Sequence, residues 1–420
     1  MPNTDSNSNK NTHKENNILH AVKGYQNALD HQQVLIKTGT DYNEQNGHVA
    51  NTIASLHPKR IKLVVSEVIK DTDSTKTLRF KAEGGFLPPF QAGQYINLFV
   101  NINGTETARP YAISSAPQAR DFYDLTVKRV AEGFVSHFLL NDVKVGDHFQ
   151  STGPMGTFYH NPIFHGDDLV FLAGGSGIAP ARSMILNMIE NTLVINKDDN
   201  EKVKKQAVQK IHLIYASSYE ADVIYENELK QLEQEHDFLT ITWIISRPTD
   251  NYTGRTGHVS AELLTELLGD DVERLQKKMF YICGPTRFHD FCAEQLKQLN
   301  VKGRRVRIEC NGPPKRPETL AGWPRNVIAT DKVTVTIHKA DGSQSQFEAR
   351  VDEPLLNSME RNGYSAENAC RSGECSLCRV KVLKGDVFNP AEARLRSTDE
   401  AYGWCHSCVA FPTSDVELLV

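Results

Sequence analysis

Five cysteines lie close together near the C-terminal end of the sequence. Cys370, Cys375 and Cys378 fall within nine residues, and Cys405 and Cys408 follow in the last 16. A cysteine thiolate is a nucleophile, a redox group and a ligand for soft metals. The chain has no run of about 18 apolar residues and no apolar signal segment at its start, so we expect a cytoplasmic protein without a transmembrane helix. Disulfides are rare in that reducing compartment, and the grouped thiols therefore indicate a metal or redox centre.

The spacing of the first three cysteines, C-x4-C-x2-C, resembles the cluster loop of plant-type [2Fe–2S] ferredoxins. Such a loop supplies three thiolates from a tight turn, for which Gly373 is suited, and the fourth comes from a distant segment. Cys408 and Cys405 compete for the fourth place, and we favour Cys408 because residues 408–420 resemble the end of a ferredoxin domain. A zinc site, which usually has two C-x2-C knuckles, and a set of merely buried thiols fit the spacing less well. The predicted cluster ligands are Cys370, Cys375, Cys378 and Cys408.

A second group of polar and glycine residues lies in the first half of the chain. An Arg-Pro-Tyr run closes a β-rich segment, a Gly-Phe-Val-Ser run opens a helix, and a Gly-Pro-x-Gly-x-Phe element follows at 153–158. In this order they resemble the flavin domain of the ferredoxin–NADP reductase family. There, an Arg offers planar donors to phosphate, a Tyr stacks on the isoalloxazine, and amides at a helix start face the pyrophosphate. The candidate flavin-binding residues are Arg109, Pro110, Tyr111, Ala112, Ile113, Ser114, Gly133, Phe134, Val135 and Ser136.

One position in this motif departs from the family. The family usually has Ser or Thr after the Tyr, where its hydroxyl approaches flavin N5, and this chain has Ala112. Either a backbone amide makes that contact or N5 is held less well. We expect FAD, because residues 133–136 and 153–158 match the FAD-binding members better. FMN is the alternative, since FMN-binding reductases with the same domain order occur in the superfamily.

A third motif follows a buried apolar strand. A glycine-rich turn that leads into a helix lets a backbone approach a pyrophosphate, and a Cys-Gly-Pro run ends a later strand. In the resembling family this cysteine lies beside the nicotinamide, although a packed thiol is the alternative. The candidate nicotinamide nucleotide-binding residues are Gly174, Gly175, Ser176, Gly177, Ile178, Pro180, Cys283, Gly284 and Pro285.

We expect Cys283 and Glu309 to be the catalytic residues. Related proteins often have Glu-x-Phe-Gly at the end of the nucleotide domain, whereas Glu309 is followed here by Cys310-Asn311-Gly312, which leaves open what covers the cofactor at that edge. Residues 216–222 contain two acids and no basic group, which favours NADH over NADPH because a 2′-phosphate needs a basic partner. Arg247 keeps NADPH possible.

These motifs require three kinds of scaffold. Short β-rich segments over residues 58–162 predict an antiparallel all-β domain, either a sandwich or a barrel, and the resemblance implies an FAD-binding β-barrel. Alternating strands and helices over 163–311 predict an α/β domain with a parallel sheet that binds NAD(P). A Pro- and Gly-rich linker over 312–330 leads to a small β-rich domain with one short helix over 331–420. The resemblance to plant-type [2Fe–2S] ferredoxins implies an α+β domain of the β-grasp type there. Residues 1–57 form a polar extension that we expect to be partly disordered or helical.

The charge distribution narrows the range of partners. The 420 residues carry a net charge of −5, which gives no case for nucleic-acid binding. Residues 331–420 contain 10 basic and 14 acidic groups. This excess of acidic groups either attracts a basic surface on a partner or only forms a solvated surface of the domain.

Together the motifs predict an NAD(P)H-dependent oxidoreductase that passes electrons from NADH through FAD to a [2Fe–2S] cluster. No segment for a terminal reaction is evident, so we expect a separate electron-acceptor protein, such as an oxygenase or another metalloenzyme component. Two alternatives stay open: a stand-alone reductase of a small acceptor such as a quinone, and a redox sensor. The sequence predicts no oligomeric state.

Overall fold

The computed structural model describes residues 25–38, 60–84, 86–102, 104–131, 133–197, 210–309, 312–314, 316–339, 341–364, 366–373 and 375–420. The chain divides into two compact units, Met1–His57 and Pro58–Val420. In the first unit, one helix, α1, spans Tyr25–Thr38. The remainder of the predicted N-terminal extension lies outside the described residues.

An antiparallel sheet forms the first part of the second unit. Its strands are β1 (Ile61–Thr72), β2 (Thr75–Ala82), β3 (Tyr95–Ile102), β4 (Thr105–Ala112), β5 (Tyr123–Lys128) and β6 (His148–Ser151). The strand order is β4-β3-β6-β1-β2-β5, and a bridge between Ile113 and Leu125 joins the two edges, so the sheet closes into a barrel. Alternate side chains such as Leu63, Phe80 and Leu98 fill its interior. Helix α2 (Phe134–Asn141) packs against this core. The predicted barrel is confirmed.

A parallel six-stranded sheet forms the second part. Its strands are β7 (Asp168–Gly174), β8 (Lys210–Ser217), β9 (Leu239–Ile245), β10 (Arg255–Thr256), β11 (Met279–Cys283) and β12 (Val306–Glu309), in the order β10-β9-β8-β7-β11-β12. Its helices are α3 (Pro162–His165), α4 (Ile178–Lys197), α5 (Glu226–Glu235), α6 (Ala261–Leu268), α7 (Val272–Leu275) and α8 (Thr286–Gln298). Two cores cover the two faces, because successive strand residues such as Phe171 and Leu172 point to opposite sides. The strand order reverses at β7, which is where ligands bind in such sheets.

The third part is a small mixed α+β domain, as predicted. Its sheet has the order β14-β13-β19-β15-β17, in which only β13 and β19 run parallel. The strands are β13 (Lys332–His338), β14 (Gln344–Arg350), β15 (Arg379–Lys384), β17 (Trp404–His406) and β19 (Val416–Leu419), with a separate pair β16 (Val387–Phe388) and β18 (Phe411–Pro412). Helices α9 (Leu355–Arg361) and α10 (Ser397–Ala401) complete it. The cysteine loop, residues 370–378, connects α9 to β15.

The segment that leads into this domain is anchored to it by an aromatic side chain. The ring of Trp323 packs edge-on against Phe388 with 5.3 Å between ring centroids, and it also contacts Phe411. Its indole N–H donates to the carbonyl of Val327 at 3.0 Å. These contacts give the segment a fixed path over residues 323–327.

Candidate functional site

The glycine-rich turn lies at the carboxyl end of β7, where the strand order reverses. Gly175 adopts a φ of 54°, in the region that favours glycine. A Cβ built on Gly177 would lie 2.1 Å from the carbonyl oxygen of Cys283, so only glycine allows this approach. The 20-residue helix α4 begins directly after the turn, and its first N–H groups and its positive dipole end suit a phosphate.

Cys283 and Glu309 are brought side by side by the sheet. They are register partners at the ends of the parallel strands β11 and β12, and Cys283 is also paired with Ala173 on β7. Cys283 is buried and Glu309 is half-buried. The two residues predicted as catalytic therefore meet at the same edge as the glycine-rich turn. Cys310 and Asn311, on which the departure from the family depends, lie outside the described residues.

An aromatic side chain that the sequence analysis did not identify covers this edge. A Cβ on Gly174 or on Gly284 would lie 2.8 Å from the ring of Phe288. The Phe288 ring in α8 thus rests on two glycines of the nucleotide motifs. Its place in the sequence, in the first turn of a helix after Cys-Gly-Pro, gave no signal for this contact.

A lysine from the barrel also reaches the glycine-rich turn. A Cβ on Gly175 would lie 3.5 Å from the Nζ of Lys128, the last residue of β5. An ammonium group beside a helix N-terminus increases the attraction for a phosphate. Lys128 carries no signal in the sequence for this contact, because it belongs to a different domain from the turn that it faces.

Arg109 and Tyr111 of the flavin motif lie on β4, and both are enclosed. Burial and then the charge of Arg371 lower the pKa of Arg109 to about 10, and burial raises the pKa of Tyr111 above its ordinary value. Arg109 donates from Nη1 to the hydroxyl of Thr107 and to the carbonyl of Ala108, both at 2.7 Å. Ala112 ends the strand opposite Tyr95, and Pro110 pairs with Asn97.

The last two residues of the flavin motif have structural contacts. Ile113 is fully buried in the barrel core. Ser114 is also fully buried: its N–H donates to the carbonyl of Asp124 at 2.8 Å, and its own carbonyl accepts from Arg182 Nη1 at 2.8 Å. Arg182 in turn forms a bidentate ion pair with Glu228, with both distances 2.7 Å. These contacts fix the end of the flavin motif to the nucleotide domain.

The second flavin run begins helix α2. Gly133 is the residue before the helix, and a Cβ there would lie 2.6 Å from the hydroxyl oxygen of Ser136, which itself accepts from the N–H of Val130 at 3.1 Å. Phe134 is half exposed, whereas Val135 is buried in the barrel core. The tight turn presents the N-terminus of an eight-residue helix to a ligand.

The predicted cluster thiols meet in the third domain. Cys370, Cys378 and Cys408 are buried and Cys375 is half-buried. Hydrogen bonds from Cys375 and Cys408 lower the pKa of Cys370, and a hydrogen bond from Cys408 lowers the pKa of Cys378. Cys370 Sγ also accepts from the backbone N–H groups of Ser372 at 3.4 Å and of Cys375 at 3.3 Å.

Cys405 lies near Cys378 but has no hydrogen bond to the predicted cluster thiols among the described residues. It is fully buried in the core of the third domain, paired with Val380, and burial raises its pKa to about 12. Of the two candidates for the fourth place, only Cys408 hydrogen-bonds to the other cysteines.

The donor set fits an iron–sulfur cluster better than a single ion. In the described part of the chain, no group of three or more His, Cys, Asp and Glu side chains is arranged to hold one metal ion. Four thiols nevertheless touch one another, three of them from one loop with φ values of 53° at Arg371 and 82° at Gly373. Backbone amides that donate hydrogen bonds to the sulfurs are usual around such a cluster.

The barrel and the cysteine loop meet at a polar junction. Asn97 Nδ2 donates to the carbonyl of Asn368 at 2.9 Å, and Thr107 Oγ1 donates to Glu360 Oε2 at 3.2 Å. Asn97 Oδ1, Asn368 Oδ1 and Arg371 Nε are buried and lack a partner among the described residues. Buried polar atoms are nearly always satisfied, so these atoms fit a site for a bound polar group such as the flavin.

The residues on which the expected preference for NADH depends lie after strands β8 and β9. Glu220 accepts from the N–H of Thr249 at 2.9 Å and from its hydroxyl at 2.7 Å. Arg247 is exposed and donates to the hydroxyl of Tyr219 at 3.5 Å. Thr249 therefore holds the Glu220 carboxylate in place at the end of β8.

Comparison with known families agrees with this arrangement. Residues 60–160 match the oxidoreductase FAD-binding domain, residues 171–294 the oxidoreductase NAD-binding domain, and residues 338–413 the 2Fe-2S iron-sulfur cluster binding domain. The described residues contain no helix that is long and apolar enough to cross a membrane.

Several known proteins align with most of this chain and over nearly all of their own length. The chain is 28% identical to the glycine betaine monooxygenase reductase subunit of Pseudomonas aeruginosa, in an alignment that covers 83% of this chain and 92% of the relative. It is 26% identical to the ferredoxin reductase component of 3-ketosteroid-9-alpha-monooxygenase from Mycobacterium tuberculosis, over 84% of this chain and 94% of the relative. The fold matches the solved structure of phthalate dioxygenase reductase with a TM-score of 0.60 at 19% sequence identity, over 86% of this chain and 97% of that structure.

The fold and the site thus define an NAD(P)H-dependent oxidoreductase with three redox-cofactor domains. The chain belongs to the ferredoxin–NADP reductase-like family of flavin and NAD reductases that carry a C-terminal plant-type [2Fe–2S] ferredoxin domain. The predicted cofactors FAD, NADH and [2Fe–2S] and the predicted electron path from NADH through FAD to the cluster are confirmed.

Proposed function

We propose that this protein is the reductase component of an oxygenase system and hands electrons from its cluster to a separate oxygenase component. The observation that carries this proposal is the two-sided placement of the cysteine loop. Its Cys370–Arg371 side is buried toward the flavin-bearing barrel, whereas Leu377, between two of the cysteines, is 46% exposed. One side is suited to receive electrons and the other to deliver them. The names of the two relatives support the same role.

Different residues of the chain bind the flavin, the cluster and the nicotinamide nucleotide at three sites. Arg109 and the start of α2 at Gly133 hold the phosphates of FAD, and Tyr111 packs against its ring system. When bound, the flavin supplies the change from two-electron to one-electron transfer. Cys370, Cys375, Cys378 and Cys408 hold the cluster.

The edge of the parallel sheet holds the nicotinamide nucleotide. The turn at Gly175–Gly177 and Lys128 bind the pyrophosphate, while Cys283 and Glu309 border the nicotinamide. Glu220 disfavours a 2′-phosphate, and we therefore propose NADH as the physiological donor. Phe288 shields this edge from water.

Anaerobic titration of the purified holoprotein tests the proposal. NADH is expected to bleach the flavin and the cluster absorbance in turn, to support reduction of cytochrome c, and to act at far lower concentration than NADPH. A separate oxygenase component from the same organism should turn over only when this protein and NADH are present. An oxygenase that is not reduced, while cytochrome c is reduced, would show that the acceptor belongs to another class.

Replacement of individual cysteines tests the cluster ligands. We expect Cys408→Ser to lose the [2Fe–2S] absorbance and cytochrome c reduction while it retains NADH-dependent flavin reduction. Cys405→Ser is the matched control, because Cys405 is equally buried three residues away, whereas of the two only Cys408 hydrogen-bonds to the other thiols. Loss of the cluster in Cys405→Ser with retention in Cys408→Ser would reverse the assignment.

A further inference from the structure

A buried ion pair lies between helix α9 and the cysteine loop. Arg371, which follows Cys370, hydrogen-bonds through Nη2 to Glu360 Oε1, and the two side chains are only 6% and 8% exposed. The other guanidinium nitrogen, Nη1, donates to Asn357 Oδ1 at 3.2 Å. A buried charge is costly unless it is paired, so Arg371 depends on Glu360 for its position.

The second carboxylate oxygen of Glu360 is used by another domain. Thr107 Oγ1, on the barrel strand β4, donates to Glu360 Oε2 at 3.2 Å. Thr107 is itself buried and accepts from Arg109 Nη1 at 2.7 Å. A continuous chain of contacts therefore runs from the flavin motif through one carboxylate to the residue next to a cluster thiol.

The Glu360 carboxylate also acts on the positive charges of two arginines. The positive charges of Arg109 and Arg371 repel each other across the junction, and the negative charge of Glu360 acts on Arg109 in the opposite sense. Without Glu360, two buried guanidinium groups would face each other, and the cysteine loop would move away from β4. The direct hydrogen bond from Asn97 to Asn368 would remain as a link between the same two surfaces.

We propose that Glu360 is a positioning residue that fixes the cysteine loop against the flavin-bearing strand and so sets the rate of electron transfer across this junction. The inference rests on the proposed electron path through the cluster. Electron tunnelling falls off exponentially with distance, and a carboxylate held by both domains keeps that distance short and constant. Glu360 touches no cofactor in this scheme and acts through Thr107 and Arg371.

Stopped-flow reduction of the holoprotein by NADH tests this role. In Glu360→Gln, we expect flavin reduction at the wild-type rate and cluster reduction slowed about tenfold or more, the scale on which small misplacements act. The absorbance spectrum of the oxidised cluster should be unchanged. Glu353→Gln is the matched control, because Glu353 pairs with Arg361 at 2.6 Å in the same domain and has no barrel residue among its hydrogen-bond partners in the described structure.

A second pair of variants keeps the buried ion pair intact. Thr107→Val removes the hydroxyl that joins β4 to Glu360, whereas Thr107→Ser keeps it. Measured at full flavin occupancy, we expect Thr107→Val to slow cluster reduction and Thr107→Ser to restore it. Because both sites act on one path, Thr107→Val combined with Glu360→Gln should slow the step less than the product of the two single effects.

The possible results separate this inference from the proposed function. A wild-type protein whose cluster is not reduced by NADH would contradict the electron path itself. Wild-type cluster reduction that persists in Thr107→Val and in Glu360→Gln would overturn the role of Glu360 alone. If Glu360→Gln fails to assemble its cluster, the comparison of Thr107→Val with Thr107→Ser decides the question.

Discussion

Replacement of Gly177 by alanine tests whether the close approach of the two nucleotide motifs is required. The new Cβ would lie 2.1 Å from the carbonyl oxygen of Cys283 and 2.7 Å from the amide nitrogen of Gly284. Both neighbours are backbone atoms at the end of a buried strand, so they cannot rotate away as a side chain would. The turn and the strand end must separate by roughly an ångström to reach ordinary contact distance.

The expected effect is larger on activity than on stability. Overpacking of this kind costs about 1–3 kcal/mol, of which ~0.4–1 kcal/mol is offset because alanine restricts the unfolded chain. A displacement of about 1 Å at a catalytic edge lowers the rate by about two orders of magnitude. We therefore expect Gly177→Ala to lose about 100-fold in kcat/KM for NADH and to keep its flavin and its cluster.

Steady-state reduction of ferricyanide by NADH and thermal unfolding of the holoprotein measure these two effects. Gly303→Ala is the matched control, because a Cβ there has no atom within 4 Å and the residue lies in the same domain. It should have wild-type activity and unchanged or slightly higher stability. A Gly177→Ala protein whose kcat/KM stays within twofold of the wild type would refute the requirement for close approach.

Two further predictions concern charges at the junction of the barrel and the nucleotide domain. Lys128→Met should raise the KM for NADH about tenfold, as expected for the loss of one charged contact. Lys144 is an exposed lysine of the barrel, and Lys144→Met should leave the KM unchanged. Equal KM values for the two variants would contradict a phosphate contact of Lys128. Burial raises the pKa of Asp71 from 3.8 to about 6, so the stability linked to its protonated form is complete below pH 3.8 and is lost as the pH rises through about 6. Asp71→Asn should therefore raise the unfolding temperature at about pH 8 more than at about pH 5, and an equal change at both pH values would count against it.

The sequence by itself determined the kinds of domain, their order and their cofactors. Strand periodicity and turn residues separated the barrel from the parallel sheet, because hydrophobic alternation is a local property that the chain carries wherever it folds. The C-x4-C-x2-C spacing is local in the same sense, since three ligands from one loop need no other part of the chain. The glycines of the nucleotide motif were found for the same reason.

Contacts between distant segments were decided only by the tertiary structure. Cys405 and Cys408 are three residues apart and both are buried, and their roles differ because Cys408 hydrogen-bonds to Cys370 and Cys378 whereas Cys405 pairs with Val380 within the sheet. Ile113 and Ser114 continue the flavin motif in sequence, yet barrel closure buries both side chains. Nothing in the sequence near Lys128 marked it as a neighbour of the nucleotide turn.

The link between Glu360 and Thr107 shows the physical reason most plainly. The two residues are separated by 253 positions and belong to different domains, so no periodicity or spacing connects them. Each is an ordinary polar residue within its own segment. Their hydrogen bond exists because two folded surfaces bury a carboxylate between them, and burial is a property of the assembled chain alone.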